Sequence, residues 1–200
     1  MALLEWMTDA TGPVVEGRSI LLRPPRAADY AAWSSLREAS RAYLQPWEPA
    51  WPDDDLGRAA FRRRLSVYGR ERDLGNAWPF FIFDAEGRTL LGAITLSNVR
   101  RGVAETATLG YWVGKGFAGR GVATAAVRAS ADFAFRALKL HRVEASCLPA
   151  NAASRRVLEK SGFRMEGLAK AYLKINGVWA DHLLFGLLPE DLEHGGDVPS

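Results

Sequence analysis

The chain has 200 residues but only one cysteine, Cys147. That rules out an internal disulfide and leaves no thiolate cluster for zinc, so no metal site is expected. No apolar run approaches the roughly 20 residues needed to cross a bilayer. The opening "MALLEWMTDATGP" lacks the basic start and long apolar centre of a secretory signal. Together these absences predict a cytoplasmic protein with no membrane role. The charge balance is unremarkable too: 26 Lys and Arg against 23 Asp and Glu give a formal +3. Such a mild excess suits an anionic ligand but not a dedicated nucleic-acid binder, which clusters its basic residues. No repeat and no Pro/Gly/Ser-rich linker divides the sequence. The expectation is one domain over residues 17–188, between a flexible segment (1–16) and a flexible tail (189–200).

What is present is enough apolar material for a core, at 48% hydrophobic residues. "RSILLRPP" reads as a short strand ended by prolines, and Tyr30, Trp33 and Leu36 follow at helical spacing. Asp53, Asp54 and Asp55 read as the acidic first turn of a second helix, with Ala60, Phe61, Leu65 and Tyr68 on its apolar side. "WPFFIFD", "TLLGAITL" and "TATLGYWV" suggest a three-stranded meander. From about Val122 to Leu138, Val127, Ala131, Ala134 and Leu138 form one stripe, while Arg128, Asp132 and Arg136 recur on another face. "RVEASCL" is a strand, Asn151 caps a helix that stops at Gly162, and two final strands hinge at Asn176-Gly177. The order predicts a mixed α/β sheet with a right-handed parallel crossover between Gly114 and Cys147.

The most informative stretch is "GKGFAGRGVATAAV", Gly114 to Val127. A glycine-rich turn between strand and helix leaves backbone N–H groups free at the positive end of the helix, a geometry that suits phosphate. A plain tight turn is the structural alternative. Gly114, Gly116 and Gly119 satisfy the dinucleotide pattern G-x-G-x-x-G, yet no acidic residue stands at the following strand end where a ribose would need it. The triphosphate loop fails as well, because "GRGVAT" lacks Gly-Lys-Ser/Thr.

The stretch resembles the coenzyme A pyrophosphate loop of the GNAT superfamily of N-acetyltransferases, Gln/Arg-x-x-Gly-x-Gly/Ala. Gly121 and Ala123 fill the small positions, and Ala118 departs from the usual Gln or Arg. "LRPPRAADYAAW", "YLQPWEP", "LGYWVG", "NAASRRVLEKSGF" and "AYLKINGVWADH" extend the likeness to the RimJ/RimL branch, which acetylates N-terminal amines of ribosomal proteins. The resemblance implies a GNAT fold: a mostly antiparallel sheet, a splayed parallel strand pair and flanking helices. It implies acetyl-CoA as cosubstrate, held by the backbone of Phe117, Ala118, Gly119, Arg120, Gly121, Val122, Ala123 and Thr124 at the pyrophosphate. Tyr111, Trp112 and Val113 would lie along the pantetheine arm, with the Val113 N–H as donor to the thioester carbonyl. Asn151, Ser154 and Arg156 complete the implied coenzyme contacts.

Candidate catalytic residues are Ser154, near the coenzyme sulfur, and Tyr172, in the acceptor wall beside His182. The superfamily's glutamate position is Ser146 here, so the remaining carboxylates are Glu105 and Glu144. Each has a structural reading as well. The glutamates suit solvated strand edges, Ser154 a helix start, His182 a satisfied core position, and Trp47, Trp51 and Trp112 either packing or a peptide entrance. Cys147 reads as a buried thiol. The implied reaction is direct acetyl transfer to the N-terminal amine, an alanine, of a ribosomal protein by a monomer or homodimer. A small-molecule amine acceptor and a non-catalytic acyl-CoA-binding module are the alternatives.

Overall fold

Each strand expected from apolar alternation is found in the computed structural model, which describes residues 8–9 and 12–194. A small antiparallel pair, β1 (Thr8–Asp9) and β2 (Gly12–Pro13), precedes the main sheet. That sheet comprises β3 (Val15–Gly17), β4 (Ile20–Arg23), β5 (Trp78–Asp84), β6 (Leu90–Arg100), β7 (Thr106–Val113), β8 (Arg142–Cys147), β9 (Arg164–Ile175) and β10 (Val178–Leu187). Its spatial order is β3-β4-β5-β6-β7-β8-β10-β9. Every neighbouring pair is antiparallel except β7–β8, the crossover pair joined through a helix. The helices are α1 (Tyr30–Ala39), α2 (Arg41–Leu44), α3 (Arg58–Asp73), α4 (Val122–Arg136), α5 (Ala152–Lys160) and α6 (Pro189–His194).

The sheet separates two cores of different make. On one face α4 lays its expected stripe, Val127, Ala131 and Ala134, against Leu22, Ile82, Ile94, Leu109, Val143 and Phe185. Small residues on α4 let the helix approach the sheet closely, and its wet side carries the Arg136–Asp132 ion pair at 2.6 Å. On the other face Trp33 of α1 and Phe61 of α3 join Phe81, Phe83 and Leu90 of the sheet in a mainly aromatic cluster. Its Trp33 and Phe61 rings sit 4.8 Å apart.

Three boundaries differ from expectation. The second helix begins at Arg58, after an extended Gly57, rather than at Asp53. Asp54 and Asp55 lie in the preceding turn and reach forward to Arg63 and Arg64 at 2.7 Å each, so ion pairs rather than the helix dipole hold them. The sheet starts before residue 17, because Val15 is 3% exposed in β3 and its strand pairs with β4. Past residue 188, α6 packs on α4. The remaining expectation of flexible ends falls on residues 1–7, 10–11 and 195–200, outside the described residues.

Candidate active site

The parallel pair is short. β7 and β8 are in register from Thr106↔Arg142 to Leu109↔Ala145 and then part. Gly110 to Val113 remain on β6, whereas Ser146 and Cys147 remain on β10, opposite Leu184 and Leu183. Each strand follows its outer neighbour, and a notch opens between them. The Gly114 N–H donates to Leu91 O on β6 at 2.9 Å. Because successive N–H groups alternate sides along a strand, those of Val113 and Tyr111 turn away from β6 into the notch. A strand edge of this kind can pair with an extended ligand.

Immediately beyond the notch lies the glycine turn. Its start is pinned to α1 and the residue after it: the Lys115 N–H donates to Ser40 Oγ at 3.0 Å, and a Cβ on Gly114 would meet Leu36 Cδ1 at 2.4 Å. The Phe117 N–H donates to Gly114 O at 2.9 Å and that of Ala118 to Lys115 O at 3.3 Å. Those two amides, expected to face phosphate, are therefore used within the turn, which narrows the free set. From Gly119 to Thr124 no backbone N–H has an acceptor among the described residues. The first turn of any helix leaves such orphans, and here Gly119 (φ 74°) and Gly121 (φ 79°) extend the row. A Cβ on either would meet nothing within 4 Å, so left-handed backbone, not crowding, is what requires glycine. Six outward amides at the positive end of α4 form a cradle for an anion.

Across the notch, α5 supplies the next groups. Asn151 caps it by accepting the Ser154 N–H at 3.0 Å, and Gly162 (φ 95°) follows its C-terminus. The Tyr111 hydroxyl shares a hydrogen bond of 3.0 Å with Ser154 Oγ and donates to Ser154 O at 3.3 Å, tying β7 to α5 over the opening. Burial pushes the Tyr111 phenol up to about 12, so it keeps its proton. Burial likewise raises the Cys147 thiol, partly offset by its hydrogen bond with Ser154. Such a thiol is a poor nucleophile. Leu158 is fully buried core. Arg155 turns to Glu159 at 2.7 Å, while Arg156 has no ion pair among the described residues.

Neither glutamate stands at the level where β7 and β8 part. Glu105 precedes β7 at the end remote from the notch and pairs with Arg101 at 3.2 Å. Val113 lies at the other end of that strand, roughly 26 Å away at about 3.3 Å per residue. Glu144 sits level with Thr108, below the point where the strands part, between Arg142 (3.0 Å) and Arg100 (3.4 Å). Both make the strand-edge ion pairs that their structural reading expects.

Tyr172 is 46% exposed and borders an open groove of about 680 Å³ with Thr108, Glu144, Ser97 and Asn76. Its ring meets that of His182 edge-on at 5.9 Å. The tryptophans are organised by two residues that no sequence spacing singled out. Arg37 makes a bidentate pair with Glu48, both bonds 2.8 Å, and its guanidinium lies 3.9 Å from the Trp51 ring and 4.9 Å from that of Trp112. Trp51 Nε1 donates to Glu48 at 2.7 Å. The Asn176 N–H at the β9–β10 turn donates to Glu48 O at 2.9 Å, joining that hairpin to the segment after α2.

Residues 19–164, which hold both the parting strand pair and the amide cradle, fit the model of the "Acetyltransferase (GNAT) domain". The chain belongs to the GNAT acetyltransferase family. Among its relatives in that family, a Bacillus subtilis (strain 168) protein described as "Probable N-acetyltransferase YjcK" is 37% identical over 90% of this chain and 99% of its own. The Escherichia coli (strain K12) "[Ribosomal protein uS5]-alanine N-acetyltransferase" is 34% identical over 85% of this chain and 84% of its own. Among solved structures, "Mycobacterium smegmatis RimJ in complex with CoA-disulfide" superposes with a TM-score of 0.83 at 38% identity, covering 90% of this chain and 87% of that one. The GNAT fold and acetyltransferase class expected from the motifs therefore stand.

Proposed function

We propose that this protein transfers the acetyl group of acetyl-CoA to the N-terminal amine of a protein, with an alanine-starting ribosomal protein as acceptor. The observation that carries the reading is the run of amides from Gly119 to Thr124, without an acceptor among the described residues, next to the β7–β8 notch. The uS5-alanine acceptor named for the E. coli relative supports the acceptor, and the CoA-disulfide complex of mycobacterial RimJ supports the donor.

Acetyl-CoA supplies an activated thioester, and this chain's residues orient it. The amides of Gly119 to Thr124 bind the pyrophosphate, and the arm pairs with the free edge at Tyr111 and Val113. The Val113 N–H faces the gap as the donor that stabilises charge on the carbonyl oxygen. Ser154 Oγ, with the protonated Tyr111 hydroxyl behind it, serves as the acid that protonates the departing thiolate. The acceptor needs little activation, since an α-amine has a pKa of roughly 7.7–8.0.

The test is thiol release from acetyl-CoA with peptides starting in Ala, Ser or Met, beside free polyamines and aminoglycosides. Turnover confined to Ala-starting peptides is the expected result. Turnover only with small amines replaces the protein acceptor, and coenzyme binding without turnover on any amine reduces the protein to a binding module.

A further inference from the structure

We propose that His182 is the catalytic base on the acceptor side and that its Nε2 takes the proton lost by the attacking amine. The inference rests on the reading above and adds a residue and an atom to it.

The strand register places the side chain. Leu183, Phe185 and Leu187 on β10 pack into the core beneath α4. Alternation therefore sends His182 and Leu184 to the opposite face, where Leu184 pairs with Ser146. His182 stands one step past the last β8–β10 pair, Leu183↔Cys147. That is beyond the level at which β7 and β8 part, on the face away from α4 and α5. Ser154 thus stands on the α5 face and His182 on the opposite face of the sheet.

The hydrogen bonds then select the atom. His182 Nδ1 lies 2.9 Å from Ala180 O, an acceptor only, so Nδ1 carries the hydrogen and Nε2 the lone pair. The residue is 3% exposed, yet Nε2 has no partner among the described residues and is not one of the sealed, unpartnered polar atoms. Its sequence neighbour Asp181 accepts the Ala171 N–H at 2.8 Å. This bond secures a bulge in which Ala171 (φ 46°) is left-handed and the β9–β10 register shifts, bringing the Tyr172 ring against His182. A buried ring with a fixed tautomer and a free lone pair is what a base requires.

The protons balance. The amine nitrogen forms its bond to the acetyl carbon, the carbon–sulfur bond breaks, the nitrogen's proton goes to Nε2, and sulfur takes one from Ser154 Oγ. Exchange with solvent resets both groups.

The experiment uses the full chain with an Ala-starting peptide. His182→Gln and His182→Ala are expected to lower kcat about 100-fold, to leave coenzyme A affinity by calorimetry unchanged, and to flatten the acidic limb of the kcat/KM profile. Added imidazole should restore part of the His182→Ala rate. In the unmodified protein, ¹⁵N-correlated NMR should show the Nδ1–H tautomer, and peptide should shift Nε2 in the coenzyme A complex. Undiminished kcat in His182→Gln, or an Nε2–H tautomer, overturns the inference. A wild type inactive on every amine refutes the functional reading instead, so the two failures are distinguishable.

Discussion

The two faces of the sheet solve different problems with different materials. The face under α4 and α5 is aliphatic and built on backbone: a close-packed helix, outward amides and a strand edge released from pairing. The face under α1 and α3 is aromatic and built on long side chains, with Arg37 clasped by Glu48 between two indoles and His182 beneath Tyr172. A coenzyme common to a whole family suits the first, because amides recognise phosphate whatever the side chains. An acceptor that differs between relatives suits the second, where side chains set the shape.

The sharpest break in this comparison should come from Glu48→Ala. It leaves the buried Arg37 charge uncompensated and is expected to cost about 3 kcal/mol in denaturant unfolding, and the KM for peptide should rise more than that for acetyl-CoA. Next is Ser154→Ala, on the donor side, which should lower kcat about 100-fold while calorimetric coenzyme affinity hardly moves. An unchanged rate removes Ser154 as the acid. Gly121→Ala forces a side chain into φ 79°. It should cost about 1 kcal/mol of stability and weaken coenzyme binding, with the peptide KM unaffected. If that peptide KM rises instead, the two faces are not independent.

Smaller effects refine the picture. Burial raises Tyr111 from 10 to about 12, so its contribution to stability is complete below pH 10 and declines as pH rises toward 12. Unfolding curves across that window should fall, and Tyr111→Phe should fall less. Glu105→Gln breaks only a surface pair with Arg101 and should change stability by less than about 1 kcal/mol. Its kcat should match wild type, and a large loss would return Glu105 to the site.

Much of the donor face was legible because its signals are local. The stripe on α4, the Asn151 cap, the stop at Gly162 and the glycine-rich turn before α4 each depend on a few consecutive residues. The loop was over-read at one end, since nothing in "GKGFAG" reveals that Lys115–Phe117 closes a turn and uses the amides of Phe117 and Ala118. The positions of Glu105 and Glu144 are hidden from the sequence for a related reason. A carboxylate on a strand gives no hint of its height relative to a notch, nor that Arg101, Arg100 and Arg142 wait beside it.

By itself, then, the sequence determined the succession of strands and helices and the turn able to cradle an anion, because hydrophobic period, capping and positive φ act over neighbouring residues. Only tertiary structure decided where β7 and β8 separate, for that depends on each strand preferring its outer partner. It alone brought Tyr111 to Ser154, Arg37 to Glu48 and Tyr172 to His182. Contacts between residues 10 to 43 positions apart come from packing, which no local pattern encodes.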